Sequence, residues 1–150
     1  MEAGLIRKQK KPNFFIIFSP KFWQMSPSQP CVRFFPTLDP QVSIFISRDL
    51  DSRITAREVA AVTEWLQSGK PLHSMRDHPS HDIPLLGAAW GARLSQEEVR
   101  EKWVRSWRNI LKDPASRAGR ERKGPDQNLL ARWVWRTWGW EVVMEHDSYT

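Results

Sequence analysis

The sequence predicts an α/β fold in which helices flank a mainly parallel sheet. Short apolar runs typical of buried strands alternate with segments whose apolar residues recur at three- and four-residue steps, as in helices. Two patterns typical of helix starts, Thr55 with Glu58 and Ser95 with Glu98, lie between those runs. Alternating strands and helices are typical of βαβ units, in which the strands run in parallel.

The first predicted strand covers residues 42–47, which are largely β-branched or aromatic and follow Asp39 and Pro40. A helix is expected over about residues 56–68. Thr55 can cap its first turn, and Gly69 and Pro71 supply stop signals.

The predicted buried face of that helix contains Val59, Val62 and Leu66, with Trp65 beside them. Further along the chain, the same rules predict strands over 72–75, 85–90 and 140–144, with a polar loop over 76–82. They also predict two helices. The first starts at Ser95 and carries Trp103 and Trp107 on its apolar face, and the second is capped by Asp126.

Length and composition set limits on the class of protein. The 150 residues suit one domain, and 40% hydrophobic residues with nine tryptophans can form a core. We interpret residues 1–31, which hold a basic cluster at 7–11 and a Pro/Ser-rich stretch at 26–30, as a loosely ordered extension of a domain at 32–150.

Cysteine content and charge exclude some functions and leave others open. Cys31 is the single cysteine, which excludes an intramolecular disulfide and a zinc site built on several thiolates. The apolar run at 14–18 is too short to span a bilayer, so we expect no membrane span. The secretory pathway and the cytoplasm both remain open. The formal charge of +6 permits an anionic partner without choosing one.

The densest polar chemistry follows two predicted strands. Asp49 and Asp51, two residues apart on an extended segment, can face one cation, and His146 follows the last strand. Carboxylate oxygens bind Mn²⁺ or Mg²⁺, and an imidazole ligand favours Mn²⁺. Ligands of open α/β sheets collect at the carboxyl ends of strands. The alternative is a solvated turn in which the two aspartates pair with Arg48 and Arg53.

Four segments in this order resemble a family of metal-dependent glycosyltransferase-like proteins of the GT-A fold. They are SRDLDSRITAREVAAVTEWLQSG at 47–69, MRDHPSHDIPLLGAAWG at 75–91, GPDQNLL at 124–130 and HDSY at 146–149. The resemblance covers about residues 33–150. It implies a sugar transfer from a nucleotide-sugar donor to an unknown acceptor.

The resemblance also implies roles for individual residues. Asp49, Asp51 and His146 look like the ligands of the metal, and Asp126 with Gln127 looks like the pair beside the transferred sugar. A plain helix cap remains open for Asp126. The candidate contacts to the donor are Arg48, Arg53, Arg76, Asp77 and His78, of which the arginines match phosphate geometry and the others can reach sugar hydroxyls.

Two further expectations limit this interpretation. No nucleotide-binding βαβ portion is recognisable in residues 1–31, so we expect an incomplete, partial GT-A domain that is inactive if that portion is required. The alternative function is a noncatalytic basic interaction module that binds nucleic acid through residues 117–123 and exposed tryptophans. Of the two, we consider a nucleic-acid partner the less expected.

Overall fold

The computed structural model describes residues 14–19, 32–49, 51–78, 81–116 and 125–147. It has an α/β architecture, as the sequence predicts. The strands are β1 (Phe14–Ser19), β2 (Ile44–Asp49), β3 (Leu72–Arg76), β4 (Ala89–Arg93) and β5 (Val143–Asp147). The helices are α1 (Ala56–Ser68), α2 (Glu97–Lys112), α3 (Pro125–Leu130) and α4 (Arg136–Trp138), with a π-helical turn (Ala131–Trp135) that joins α3 to α4.

Strands β2 to β5 form a mixed sheet, and β1 adds to its edge in the order β1-β2-β4-β3-β5. The pairs β1–β2 and β3–β5 are parallel, whereas β4 is antiparallel to both β2 and β3. The predicted α/β class is confirmed, whereas the prediction that the sheet is mainly parallel is wrong. Its physical reason lies in the described part of the β3–β4 connection, which contains no helix, so the chain reverses direction there instead of crossing over.

Strands β2 and β3 run in the same direction because β4, which lies between them, is antiparallel to both. Strands β1 and β5 share that direction because each is parallel to its neighbour. The carboxyl ends of these four strands therefore meet at one edge of the sheet, which we call the carboxyl edge. The opposite edge is the amino edge. Helix α2 starts at the amino edge, because β4 ends there and Arg100 of α2 donates hydrogen bonds to the carbonyls of Asp39 and Val42, just before β2.

Side chains alternate between the two faces of the sheet. The α2 face carries the larger core, in which Phe45, Leu72, Trp90 and Val143 pack against α2 and the helical segment 125–138. Trp103 and Trp107 are buried there, as predicted. Thr37 fixes both of them, because its hydroxyl accepts hydrogen bonds from Trp103 Nε1 at 2.7 Å and Trp107 Nε1 at 3.1 Å.

The α1 face carries a smaller cluster in which Ile44, Ile46 and Trp65 pack with partly buried neighbours. Helix α1 has the bounds that the sequence predicts. The Thr55 hydroxyl accepts a hydrogen bond from the Glu58 backbone N–H at 3.2 Å, and Gly69 ends the helix at a φ of 73°.

The prediction that Val59 belongs to the buried face of α1 is wrong. Val59 is 55% exposed, and Ile54 is 52% exposed. The residues that α1 buries are Glu58, Ala61 and Trp65. Ile54 and Val59 occupy the positions before the cap and in the first turn at which helices commonly carry a pair of apolar residues. Helical spacing does not distinguish that pair from the core stripe.

Other boundaries move by a few residues. The strand predicted at 85–90 lies at Ala89–Arg93, and the last strand begins at Val143 because Trp140–Val142 form a 3₁₀ turn. His146 and Asp147 are therefore inside β5 rather than after it. Of the extension predicted at 1–31, residues 14–19 form β1, and the clusters at 7–11 and 26–30 lie outside the described residues. Among the described helices, none has the length and apolarity that crossing a membrane requires.

Candidate functional site at the carboxyl edge

The carboxyl edge gathers most of the predicted site residues. Asp49 ends β2, Arg76 ends β3, and Asp147 ends β5. Asp51 and Arg53 follow β2 in an exposed turn, and Asp77 and His78 follow β3, also exposed. The sequence therefore predicts correctly that Asp49 and Asp51 lie at the end of β2, whereas it ends β5 too early and does not predict which side chains meet.

Arg48 lies on the α1 face and forms an ion pair with Glu58 of α1, with Nη2 2.6 Å from Oε2. The two side chains are only 13% and 9% exposed, so the pair is nearly enclosed. Burial raises the pKa of Glu58 above the ordinary carboxyl value, and the positive charge of Arg48 opposes that shift. Arg48 Nη2 also donates to the Arg53 carbonyl at 3.3 Å. In this structure Arg48 thus contacts protein groups.

Arg57 at the start of α1 joins the ends of β3 and β5. Its guanidinium binds both carboxylate oxygens of Asp77 and donates to the backbone carbonyl of Asp147. The hydrogen bond to Asp77, followed by charge attraction to the same residue, raises the pKa of Arg57. The predicted donor-binding residue Asp77 is therefore held by an arginine of the neighbouring helix.

Arg76 lies on the α2 face and pairs with the last strand. Its Nη2 contacts the carboxylate of Glu145 and lies 3.9 Å from Oδ2 of Asp147. Its Nε is buried, and among the described residues no group accepts a hydrogen bond from it. In this structure the positive charge of Arg76 is therefore paired with carboxylates of β5.

His146 lies on the α1 face within a chain of hydrogen bonds. Its Nδ1 is 3.1 Å from Nε2 of His73, and its Nε2 is 3.2 Å from Oε2 of Glu64 in α1. His73 is 3% exposed and stacks on Trp65, with ring centroids 5.3 Å apart at 15°. Burial, and then the proximity of His146, lowers the pKa of His73 to about 4, so His73 is neutral at pH 7.

The three predicted metal ligands do not converge in this structure. Residues two or four positions apart on a strand lie on the same face. His146 therefore shares the α1 face with Met144, whereas Asp49 shares the α2 face with Ser47 and Phe45. Strands β4 and β3 also separate β2 from β5. At the usual spacing of neighbouring strands, β2 and β5 are roughly 14 Å apart.

Of the three predicted metal ligands, Asp49 and Asp51 lie together at the end of β2. Within the described ranges, no three His, Cys, Asp or Glu side chains form a group that could hold a metal ion. Asp49 and Asp51 are both exposed, and their carboxylates are the donors that hard divalent cations prefer. The metal-ligand role of the three residues, and the identity of Mn²⁺ or Mg²⁺, remain predictions.

Asp126 and Gln127 lie at the start of the helical segment 125–138, on the α2 face. Trp138 Nε1 donates to Ser106, and Trp133 Nε1 donates to Asp113, so this segment runs antiparallel to α2. The segment ends near the amino edge, where β5 begins, so Asp126 and Gln127 lie at its other end, farther from the amino edge. Asp126 is the second helical residue, is 8% exposed, and accepts a hydrogen bond from the Gln127 backbone N–H at 2.9 Å.

The sequence analysis gave no role to Arg57 or Glu64, assigned Glu58 to capping alone, and did not predict the burial of His73. Arg57 and Glu58 carry no local signal beyond a helix start, because their partners are 20 residues and 10 residues away. His73 could have been noticed as an ionisable residue inside an apolar strand. The basic loop predicted at 117–123 lies outside the described residues.

Comparison of the chain with models of known protein families, with curated proteins and with solved structures finds no match.

Proposed function

We propose that this chain is a glycosyltransferase-like domain that binds a nucleotide-sugar and a divalent cation at the carboxyl edge, on the α2 face. The observation that carries the proposal is the common direction of β1, β2, β3 and β5. That direction gathers Asp49, Arg76 and the loops after β2 and β3 at one edge. Open α/β sheets bind their ligands at this edge.

A diphosphate bridged by a cation requires carboxylates for the cation and a basic group for the phosphates, and the α2 side of the edge carries both in Asp49 and Arg76. Asp49 and Asp51 would hold the cation through carboxylate oxygens. Arg76, whose side chain is 23% exposed, would bind a phosphate oxygen through its guanidinium. A bound cation stabilises the charge that develops on a departing diphosphate.

Asp126 and Gln127 complete the proposed site from the helical layer. The helix that begins with these two residues packs on the α2 face through Leu129 and Leu130. A carboxylate and an amide can orient sugar hydroxyls or stabilise positive charge on a sugar ring. His146, on the opposite face, is left out of this set. The proposed cation site therefore has two protein ligands, with its other positions filled by the diphosphate and by water.

The test is titration calorimetry with MnCl₂, followed by uridine and guanosine diphosphates in the presence of Mn²⁺. The double variant Asp49→Asn with Asp51→Asn should weaken Mn²⁺-dependent nucleotide binding by more than about tenfold. The matched control, Glu97→Gln with Glu101→Gln, removes two exposed carboxylates of α2 near the amino edge and should bind as the wild type does. Equal binding by both double variants would reject the aspartates as the cation site.

The alternative, a noncatalytic nucleic-acid module, rests on the formal charge of +6 and on Trp140, which is 70% exposed. It predicts oligonucleotide binding that weakens steeply with salt and does not require Mn²⁺. Fluorescence titration of a single-stranded oligonucleotide at rising NaCl, with Trp140→Ala as the variant, separates the two proposals. Oligonucleotide binding that requires Mn²⁺ and is unchanged in Trp140→Ala would exclude the alternative.

A further inference from the structure

The first turn of α1 contacts the ends of three strands. Arg57 Nε donates to both carboxylate oxygens of Asp77, at 3.2 Å each, and Nη2 donates to Oδ1 at 3.0 Å. The same Nη2 reaches the backbone carbonyl of Asp147 at the end of β5. Glu58, the next residue, pairs with Arg48 near the end of β2. One helical turn thus joins β2, β3 and β5.

The sheet itself does not supply this connection. Between β2 and β3 lies β4, which runs the opposite way and begins at the carboxyl edge instead of ending there. Strands β2 and β3 are therefore not paired with each other in the sheet. Adjacent residues of a helix project about 100° apart, which lets Arg57 and Glu58 reach different strands.

We propose that Arg57 and Glu58 are positioning residues that fix the ends of β2, β3 and β5 relative to one another. Arg57 sets the position of Asp77 and of the loop that follows it. Glu58 sets the position of Arg48 and of the acidic turn after β2. This role rests on the proposed function, because it places the turn that carries Asp51 and the loop that carries His78 beside the same ligand.

The geometry of each contact suits positioning. The bidentate contact of Arg57 with Asp77 fixes the orientation of both groups, which a single hydrogen bond does not. The Arg48–Glu58 pair is largely excluded from water, so loss of Glu58 leaves a buried guanidinium without its carboxylate partner. Arg57 is 53% exposed, so its contribution comes from geometry more than from charge.

The experiment measures amide hydrogen exchange by mass spectrometry on peptides that cover 49–55, 75–78 and 97–112, without any ligand. Arg57→Gln should speed exchange of the 75–78 peptide by about tenfold and leave the 49–55 peptide less affected. Glu58→Gln should produce the opposite pattern. The α2 peptide serves as the internal reference, and Arg105→Gln, an exposed arginine of α2, is the matched control.

The charge-exchange variant, Arg57→Asp with Asp77→Arg, should restore slow exchange of the 75–78 peptide toward the wild-type rate. Faster exchange in every peptide, including α2, would overturn the proposal, because it would show that Arg57 and Glu58 support the whole fold equally. Unchanged exchange in both single variants would overturn it as well.

A second measurement separates this proposal from the proposed function. If the wild type binds Mn²⁺ and a nucleoside diphosphate, Arg57→Gln should weaken that binding by about tenfold, and the charge-exchange variant should recover it. If the wild type binds neither, the proposed function fails, and the exchange pattern still decides whether α1 positions the strand ends. Ligand binding that Arg57→Gln leaves unchanged, despite faster local exchange, would reject the positioning role at the site.

Discussion

The α2 face of the sheet buries a cluster of tryptophans, whereas the α1 face packs a buried histidine and a nearly enclosed ion pair beside Trp65. On the α2 face, Trp90, Trp103 and Trp107 pack with Phe34, and the Thr37 hydroxyl accepts hydrogen bonds from Trp103 and Trp107. On the α1 face, His73 and the Arg48–Glu58 pair share the interior with Trp65. We expect the α2 face to contribute more to overall stability, and the α1 face to determine the positions of the strand ends.

This difference follows from the free energy of burial. Apolar area removed from water stabilises the fold in proportion to its size and without a required direction. Buried ionisable groups lose hydration and stabilise the fold only where their hydrogen bonds are well formed. We therefore expect substitutions on the α2 face to reduce overall stability, and substitutions on the α1 face to act through pH, close packing and the positions of strand ends.

The largest effect is expected from Trp103→Ala, which removes a side chain that is 1% exposed from the α2-face core. Its loss should lower the free energy of unfolding by about 4 kcal/mol, because a large cavity forms and Thr37 loses a donor. Urea unfolding measures the change. Trp140→Ala, at a site that is 70% exposed, is the control and should change stability little. Comparable losses in both variants would contradict the assignment of the core.

The next effect concerns pH and the α1 face. The pKa of His73 falls from its ordinary 6.5 to about 4 in the folded protein. Between these values the unfolded chain binds a proton that the folded chain does not bind. Stability should therefore fall as pH falls from 6.5 toward 4, by about 3 kcal/mol in total from this residue.

Urea unfolding at several pH values in this window, with a chelator present, tests the contribution of His73. The variant His73→Gln cannot titrate there, so its stability should depend less on pH than that of the wild type. The same pH slope in both proteins would show that His73 does not cause the change.

A smaller effect is expected from Gly91→Ala, in the middle of β4. A Cβ atom at this position would lie 2.9 Å from Cη2 of Trp65 and 3.2 Å from the Phe45 carbonyl oxygen. The close packing of α1 on the sheet should therefore make the substitution cost about 2 kcal/mol. Thermal unfolding measures the cost. Adding Trp65→Phe should recover part of it, and strictly additive losses in the double variant would mean that Trp65 is not the obstacle.

Local signals account for the parts of the fold that the sequence predicts well. The bounds of α1 follow from a cap at Thr55 and a stop at Gly69, both of which act within one turn of the chain. The burial of Trp103 and Trp107 follows from helical spacing. The position of Asp49 at the end of β2 follows from the apolar run before it.

The sequence by itself determined where most helices and strands lie and which charged residues end up at the tips of the strands, because those features depend on neighbours a few positions away. The tertiary structure alone decided that β4 runs antiparallel between β2 and β3, that His146 faces His73 and Glu64 instead of Asp49, and that Arg57 reaches Asp77. These contacts depend on strand order and on the register in which β3 and β5 pair. Because side chains alternate along a strand, that order and register decide which face each residue occupies.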